Sequence, residues 1–179
     1  IKIRLYPTDE QIALFVRTAG ICRAVYNTAL EQRRDHWRKY RSLVGKNISF
    51  ITQCEELKAL KVEFPWVREA PHHCLLQALK DLDRAYRNFF EGRAGYPKPR
   101  KKFQHDSFRF PDPKQFQLDM SLADAKGRGT WLRLPKAGWV RCVQHRAIPD
   151  TARITSITVS REGDWWMASL AMADDQPEA

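Results

Sequence analysis

Cysteine is scarce in this chain and scattered. Cys22, Cys54, Cys74 and Cys142 form no C-x-x-C pair, which argues against a zinc knuckle or a redox motif and fits reduced thiols. No apolar run approaches the roughly 20 residues that span a bilayer, and no signal peptide is expected ahead of Ile1. The chain opens without Met, already in strand-like sequence, so a few N-terminal residues are expected to be missing. His36, His72, His73, His105 and His145 show neither H-E-x-x-H nor H-x-x-x-H spacing, so a metal site is not indicated. Gly92-x-x-Gly95 lacks the Gly-Lys-Ser/Thr that completes a phosphate-cradling loop, and no G-x-S-x-G setting for a nucleophile occurs. Glu55-Glu56 and Asp81-x-Asp83 lie among Lys58, Lys80 and Arg84, where surface ion pairing is a commoner role than general acid–base work. No catalytic constellation remains.

Acid is also short. The chain has 31 Lys+Arg against 21 Asp+Glu, a formal charge of +10. Asp174, Asp175 and Glu178 crowd the C-terminal end, so the body is more basic still. Such a surplus makes a polyanion the first candidate partner, because neutralising phosphates releases counterions. A solvated charged face is the bland alternative. With 43% hydrophobic residues over 179 positions, the composition is that of a folded chain holding one domain or two small ones.

Periodicity then orders the elements. Residues 1–6 alternate apolar and basic and stop at Pro7, which predicts a strand with one buried face. Thr8 is a good N-cap, with Gln11 in capping-box position. Ile12, Phe15, Val16, Ala19, Cys22, Val25, Tyr26 and Leu30 recur at helical spacing up to about Tyr40, as one helix or as two divided at Gly20. Ser49 caps a second helix carrying Cys54, Leu57 and Leu60, and a third begins near Pro71, with Leu75, Leu79, Leu82, Tyr86, Phe89 and Phe90 on one side. Short alternating runs follow at 107–110, 115–119, 131–134, 139–142, 153–161 and 165–173, with Glu162-Gly163-Asp164 as a hairpin signal. A lone strand is not stable, so the first strand must pair with later ones, 153–161 or 165–173. The predicted fold class is therefore α+β: a small β-barrel or curled sheet, built from the first strand and the C-terminal strands, with an inserted helical bundle. The expected divisions are 1–7 for the first strand and 8–92 for the bundle. A basic loop at 93–106, the remainder of the barrel at 107–173 and a linker at 174–179 complete them.

What is abundant is material for holding nucleic acid. Arg17, Arg23, Arg33, Arg34, Arg38 and Lys39 stud the first helical region. Gly95-Tyr96-Pro97-Lys98-Pro99-Arg100-Lys101-Lys102 cannot be regular helix and carries four cations with no acid, while Lys136, Arg141, Arg146 and Arg153 mark the β region. Phe103, Phe108, Phe110, Trp131, Trp139, Trp165 and Trp166 interleave with these charges. Aromatic faces stack on unpaired bases while neighbouring cations hold phosphates. The competing role for each aromatic is the core, since six Trp suffice to fill a small barrel.

Several strings resemble one family. Ile3-Arg4-Leu5-Tyr6-Pro7-Thr8 with Gln11, then Arg23-Ala24-Val25-Tyr26-Asn27, resembles the opening of TnpB/OrfB proteins. The helix from Leu79 through Leu82, Ala85 and Phe89-Phe90 is similar to theirs, as is Gly95-Tyr96-Pro97-Lys98 with Lys101-Lys102, although Pro99 replaces the family's aromatic. Ser107-Phe108-Arg109-Phe110, Leu132-Arg133-Leu134-Pro135-Lys136-Ala137-Gly138-Trp139-Val140 and the stretch 154–161 complete an ordered set across nearly the whole chain.

This resemblance implies the nucleic-acid-gripping front part of a transposon-encoded, RNA-guided DNA endonuclease. Its barrel would be wedge-like, similar to an oligonucleotide-binding fold, with a recognition bundle that older usage calls a helix-turn-helix in a transposase. The family's nuclease domain, with its divalent metal and zinc, would lie beyond this stretch, so no cofactor is expected within it. Implied partners are a guide RNA, double-stranded target DNA and the rest of the nuclease, in the cytoplasm, with no membrane. Phosphate contacts are expected from Arg4, Arg23, Arg100, Lys101, Lys102 and Lys136. By alignment with the family's motif-reading positions, Phe50, Cys54, His72, Leu76, Gln77, Pro111 and Asp112 would read a short duplex beside the target. Alternatives are a nuclease-dead, RNA-guided repressor, a guide-free helix-turn-helix DNA reader and a basic scaffold that binds no nucleic acid.

Overall fold

A computed structural model describes residues 1–40, 48–149 and 151–174, without the side chains of 37, 39, 40 and 174. The chain divides into two compact units, residues 1–16 with 105–179 and residues 17–104.

The first unit is a seven-stranded, wholly antiparallel sheet. Strand β1 (Lys2–Tyr6) comes before all the helices; β2 (Ser107–Phe110), β3 (Gln117–Asp119), β4 (Thr130–Leu134), β5 (Gly138–Val143), β6 (Ala152–Glu162) and β7 (Trp165–Asp174) follow them. Their order is β2-β6-β7-β1-β5-β4-β3. The lone first strand thus lies inside the sheet, paired on one side with β7 and on the other with β5. The sequence points to 153–161 or 165–173 as its partner, and the second of these holds; β6 sits one strand further out, beyond β7. The edge strands β2 and β3 form no ladder with each other among the described residues, so hydrogen bonding leaves the sheet open rather than closing a barrel.

The pleat explains which residues lie inside. Ile3 and Leu5 on β1 are buried, as are Leu132, Val140, Cys142, Ile157, Val159, Trp166 and Ala168 on their neighbours. Helix α1 (Asp9–Tyr40) begins in this unit. Its Phe15 packs on Phe108 and Trp166, with ring centroids 5.6 and 5.4 Å away. Thr8 and Gln11 form the expected capping box, each backbone N–H donating to the other's side chain at 3.0 and 3.3 Å. The Gln11 amide also donates to the carbonyls of Ala137 and Trp139, tying the helix start to the β4–β5 hairpin. Gly163, at φ +62, makes the two-residue turn joining β6 to β7, a backbone region that L side chains avoid.

The second unit is helical. It holds the rest of α1 together with α2 (Phe50–Glu63), a short 3₁₀ turn (Pro65–Glu69) and α3 (His72–Phe90). Gly20 does not divide α1, which runs unbroken from Asp9 to Tyr40. Ser49 caps α2 through a reciprocal box with Thr52. Pro71 stands just before α3, at its N-cap, one place earlier than a first-turn proline. Val25, Ala29 and Leu30 of α1, Leu57 of α2 and Leu75, Leu79 and Leu82 of α3 are buried as its core.

Candidate nucleic-acid interface

Helices α2 and α3 run antiparallel. The end of α2 meets the start of α3, where the Lys61 ammonium donates to His72 Nδ1 at 2.6 Å, while Lys80, two turns into α3, stands 6.0 Å from the Phe50 ring at the start of α2. Phe50 and Cys54 lie one turn apart on α2, and His72 and Leu76 one turn apart on α3. His72 is exposed; Phe50, Cys54 and Leu76 are half-buried. Burial, and then the neighbouring Lys61, His73 and Lys58, lower the His72 pKa. With Nδ1 accepting from Lys61, the neutral ring carries its proton on Nε2 and can donate it there. Burial raises the Cys54 thiol, opposed by Lys80, so it stays protonated.

Gln77 behaves differently from its neighbours. It is 5% exposed, and its amide donates to Asp81 Oδ1 at 3.0 Å. A base edge cannot reach it in this arrangement. The sequence offers Gln77 as a donor beside Leu76, but the step of about 100° from one helix residue to the next turns it inward. Pro111 and Asp112 belong to the sheet unit. The Asp112 carboxylate already accepts the Lys114 backbone N–H at 2.9 Å, capping a short 3₁₀ turn (Pro113–Gln115).

The basic segment after α3 is pinned in place. Asn27 on α1 holds the backbone of Arg100 from both sides: its amide donates to the Arg100 carbonyl at 2.9 Å, and its oxygen accepts the Arg100 N–H at 2.7 Å. The Arg100 guanidinium lies 3.9 Å from the centroid of Tyr26 and 3.4 Å from Asp81 Oδ2. Arg100 is thus largely engaged within the fold, whereas Lys101 and Lys102 are exposed, Lys102 lying 4.9 Å from the Phe103 ring. Tyr96, at the front of the segment, exchanges a 2.8 Å hydrogen bond with Tyr86 of α3.

Arg33 is not among the surface cations of α1. Arg33 is only 10% exposed; it donates to Gln53 and Asp83 at 2.9 and 3.1 Å and joins the three helices of the unit. It therefore does not join the nucleic-acid-binding arginines with which the sequence groups it, because partners on two other helices enclose it. Arg17 pairs with Glu69 at 3.6 Å. Arg23 is half-buried and has a partner of its own.

In the sheet unit, Arg4 is half-buried, its guanidinium 3.6 Å from the Trp165 centroid and 4.8 Å from that of Tyr6. Lys136, exposed in the β4–β5 turn, has φ +64, a strained setting for a side-chain-bearing residue. The interleaved aromatics divide. Phe108, Phe110 and Trp166 are core, whereas Trp131, Trp139 and Trp165 are 37%, 42% and 54% exposed and Phe103 is 69% exposed. Trp therefore does not simply fill the sheet's interior.

Sequence reasoning names Asn27, Tyr26 and Asp81 but not their shared role in fixing Arg100. Asn within a helix is a weak helix former that competes for backbone hydrogen bonds, and that anomaly was the available signal. Among the described residues no three His, Cys, Asp or Glu side chains gather to hold a metal, and no helix is long and apolar enough to cross a membrane. Burial pushes the Cys22 and Cys142 thiols up to about 12, which leaves them inert as nucleophiles.

The class is that of a basic α+β fold: an antiparallel sheet interrupted in sequence by three helices, with cations exposed on both units. Residues 1–42 match the helix-turn-helix domain of OrfB proteins of the IS605 type. Over 94% of its length the chain is 32% identical to the Escherichia coli K12 protein named "Putative RNA-guided DNA endonuclease InsQ", covering 39% of that protein. It is also 32% identical, again over 94% of its length, to a Streptomyces pristinaespiralis protein named "Putative RNA-guided DNA endonuclease", covering 40% of it. The chain belongs to the TnpB/OrfB family. It spans about two fifths of the length of these relatives. Within the matched 1–42, the described residues form β1 and one uninterrupted helix; the helix pair joined by a turn is α2 and α3, outside that match.

Proposed function

We propose that this chain is the guide-RNA- and target-DNA-binding portion of an RNA-guided DNA endonuclease carried by a transposon and working in the cytoplasm. The observation that carries the reading is the basic segment. Its backbone is fixed at Arg100 by Asn27, and it presents the exposed Lys101 and Lys102 next to it. Flexible lysines on an anchored backbone suit phosphate, which rewards charge at a fixed place without demanding a base-specific geometry.

The 32% identity to proteins named as RNA-guided endonucleases supports the same reading. In it the sheet acts as the wedge, an oligonucleotide-binding-like element, and the helices as the recognition bundle. Arg4, Arg23 and Lys136 supply further phosphate contacts, and Arg100 orients the segment more than it grips. Phe50, Cys54, His72 and Leu76 offer a duplex one hydrogen-bond donor, His72 Nε2, among apolar surfaces. That mixture suits a T-containing motif read with few direct hydrogen bonds. Pro111 and Asp112 contribute from the sheet unit, and Gln77 supports α3 from within.

The test is the salt dependence of binding. For the full-length protein with Lys101→Ala and Lys102→Ala, affinity for nucleic acid should fall across sequences. The slope of log K against log salt should flatten by about 0.7 to 0.9 per lost contact. An unchanged slope would show that the segment is only solvated.

A further inference from the structure

The outward face of the sheet is assigned no role by the family match or by the relatives' names. Strand register places its side chains in rows: Trp131 on β4 stands opposite Arg141 on β5, which stands opposite Tyr6 on β1. In the next row Arg133 stands opposite Trp139. On the other flank of β1, Arg4 lies against Tyr6 and Trp165. Residues two apart along a strand share a face, so Tyr6 and Arg4, Trp139 and Arg141, and Trp131 and Arg133 all look away from the core formed by Leu5, Val140, Cys142 and Leu132.

We propose that this face is a stacking platform for unpaired nucleotides. Large aromatics exposed in a cluster on a sheet face have no folding role there, because the core lies on the other side. Tyr6, Trp131, Trp139 and Trp165 are between 37% and 54% exposed. Each has an arginine beside or opposite it, a pattern that offers π surface for a base and a cation for its phosphate at every step.

Arg4 shows the chemistry within the fold. Its guanidinium is already stacked on an indole, and its Nε is buried without a partner. Two acids beside this face are occupied: Glu162 holds Lys2, and Asp119, opposite Trp131, accepts the Ser121 N–H at 2.9 Å. A duplex hides its base faces within its own stack and could give this surface only phosphates, so the arrangement selects unpaired strands.

The proposal rests on the nucleic-acid reading above, and the experiment separates the two. Full-length protein freed of nucleic acid is titrated with oligo(U), oligo(dT) and a mixed-sequence duplex. Indole fluorescence and oligonucleotide anisotropy are followed together. Trp131→Leu and Trp139→Leu should each weaken single-strand binding by about fivefold to about a hundredfold and leave duplex binding unchanged. Trp139→Phe should keep most of the affinity, since it restores an aromatic face where Leu restores only bulk. Tighter binding of oligo(U) or oligo(dT) than of the duplex supports the platform, the tighter of the two naming the strand as RNA or DNA; a duplex bound as tightly as both would overturn it.

If the Leu variants bind as tightly as the parent while the Lys101→Ala, Lys102→Ala protein loses affinity, the platform is wrong and the nucleic-acid reading stands. Leu variants that lower the melting temperature without changing binding would show that the protein's own chain covers this face. Loss of neither affinity in any variant would sink both.

Discussion

His72 shows how a single side chain can be set for one role by its neighbours. Lys61 donates to its Nδ1, so the ring is neutral and keeps its proton on Nε2, on a residue that is exposed. Burial is the largest cause of its lowered pKa, ahead of Lys61, His73 and Lys58. An NMR titration should therefore place its midpoint below the usual value of about 6.5. Lys61→Ala should raise the midpoint only in part, since burial stays in place. A midpoint at or above the free value would contradict the arrangement. The sign for stability follows from the same shift: the unfolded chain binds this proton more readily than the folded one, so His72 lowers stability as the pH falls through 6.5 and has no such effect above it. Its proposed reading role is checked by a randomised-motif depletion assay on full-length His72→Ala protein. The preferred motif should loosen; an identical motif and stringency would remove His72 from the reading surface.

Among the elements, α1 carries the clearest mark of tolerance. Gly20 lies within a continuous helix, where glycine is less favourable than alanine by up to about 1 kcal/mol. A Cβ added there would meet nothing closer than Arg23 Nη2 at 3.5 Å, an ordinary contact. Gly20→Ala should therefore raise the denaturation midpoint, by about 0.4 to 1 kcal/mol of stability. A fall would mean that α1 bends at this point in solution.

Much of this level was legible in the sequence, because the signals are local. The Thr8–Gln11 box, the Ser49 cap and the Gly163 turn are each written in adjacent residues. Non-local partners were not. Trp165 and Trp166 must point to opposite faces, but only the register of Trp166 against the buried Leu5 decides which goes inside. Arg33 likewise looks like one more surface cation until Gln53 and Asp83 arrive from two other helices. The two bonds from Gln11 to the β4–β5 hairpin each span more than a hundred residues and leave no local trace.

At the scale of the molecule, two units that differ in fold share one chemistry. In the sheet unit, Arg133 and Arg141 stand among exposed indoles on the outward face. In the helical unit, Lys101 and Lys102 follow a pinned backbone, Lys58 and Lys61 of α2 lie near His72, and Lys80 of α3 lies near Phe50. Strand β1 and the strands it pairs with belong to one unit although three helices separate them in sequence. The central claim, carried by the proposal above, is that these cations, on each unit by itself, serve to hold a guide RNA. Its most direct measurement is sequencing of the nucleic acid retained by the full-length protein after purification in high salt. The account predicts one defined RNA species, reduced in the Lys101→Ala, Lys102→Ala protein. Protein that emerges with no nucleic acid, or with DNA alone, would contradict it.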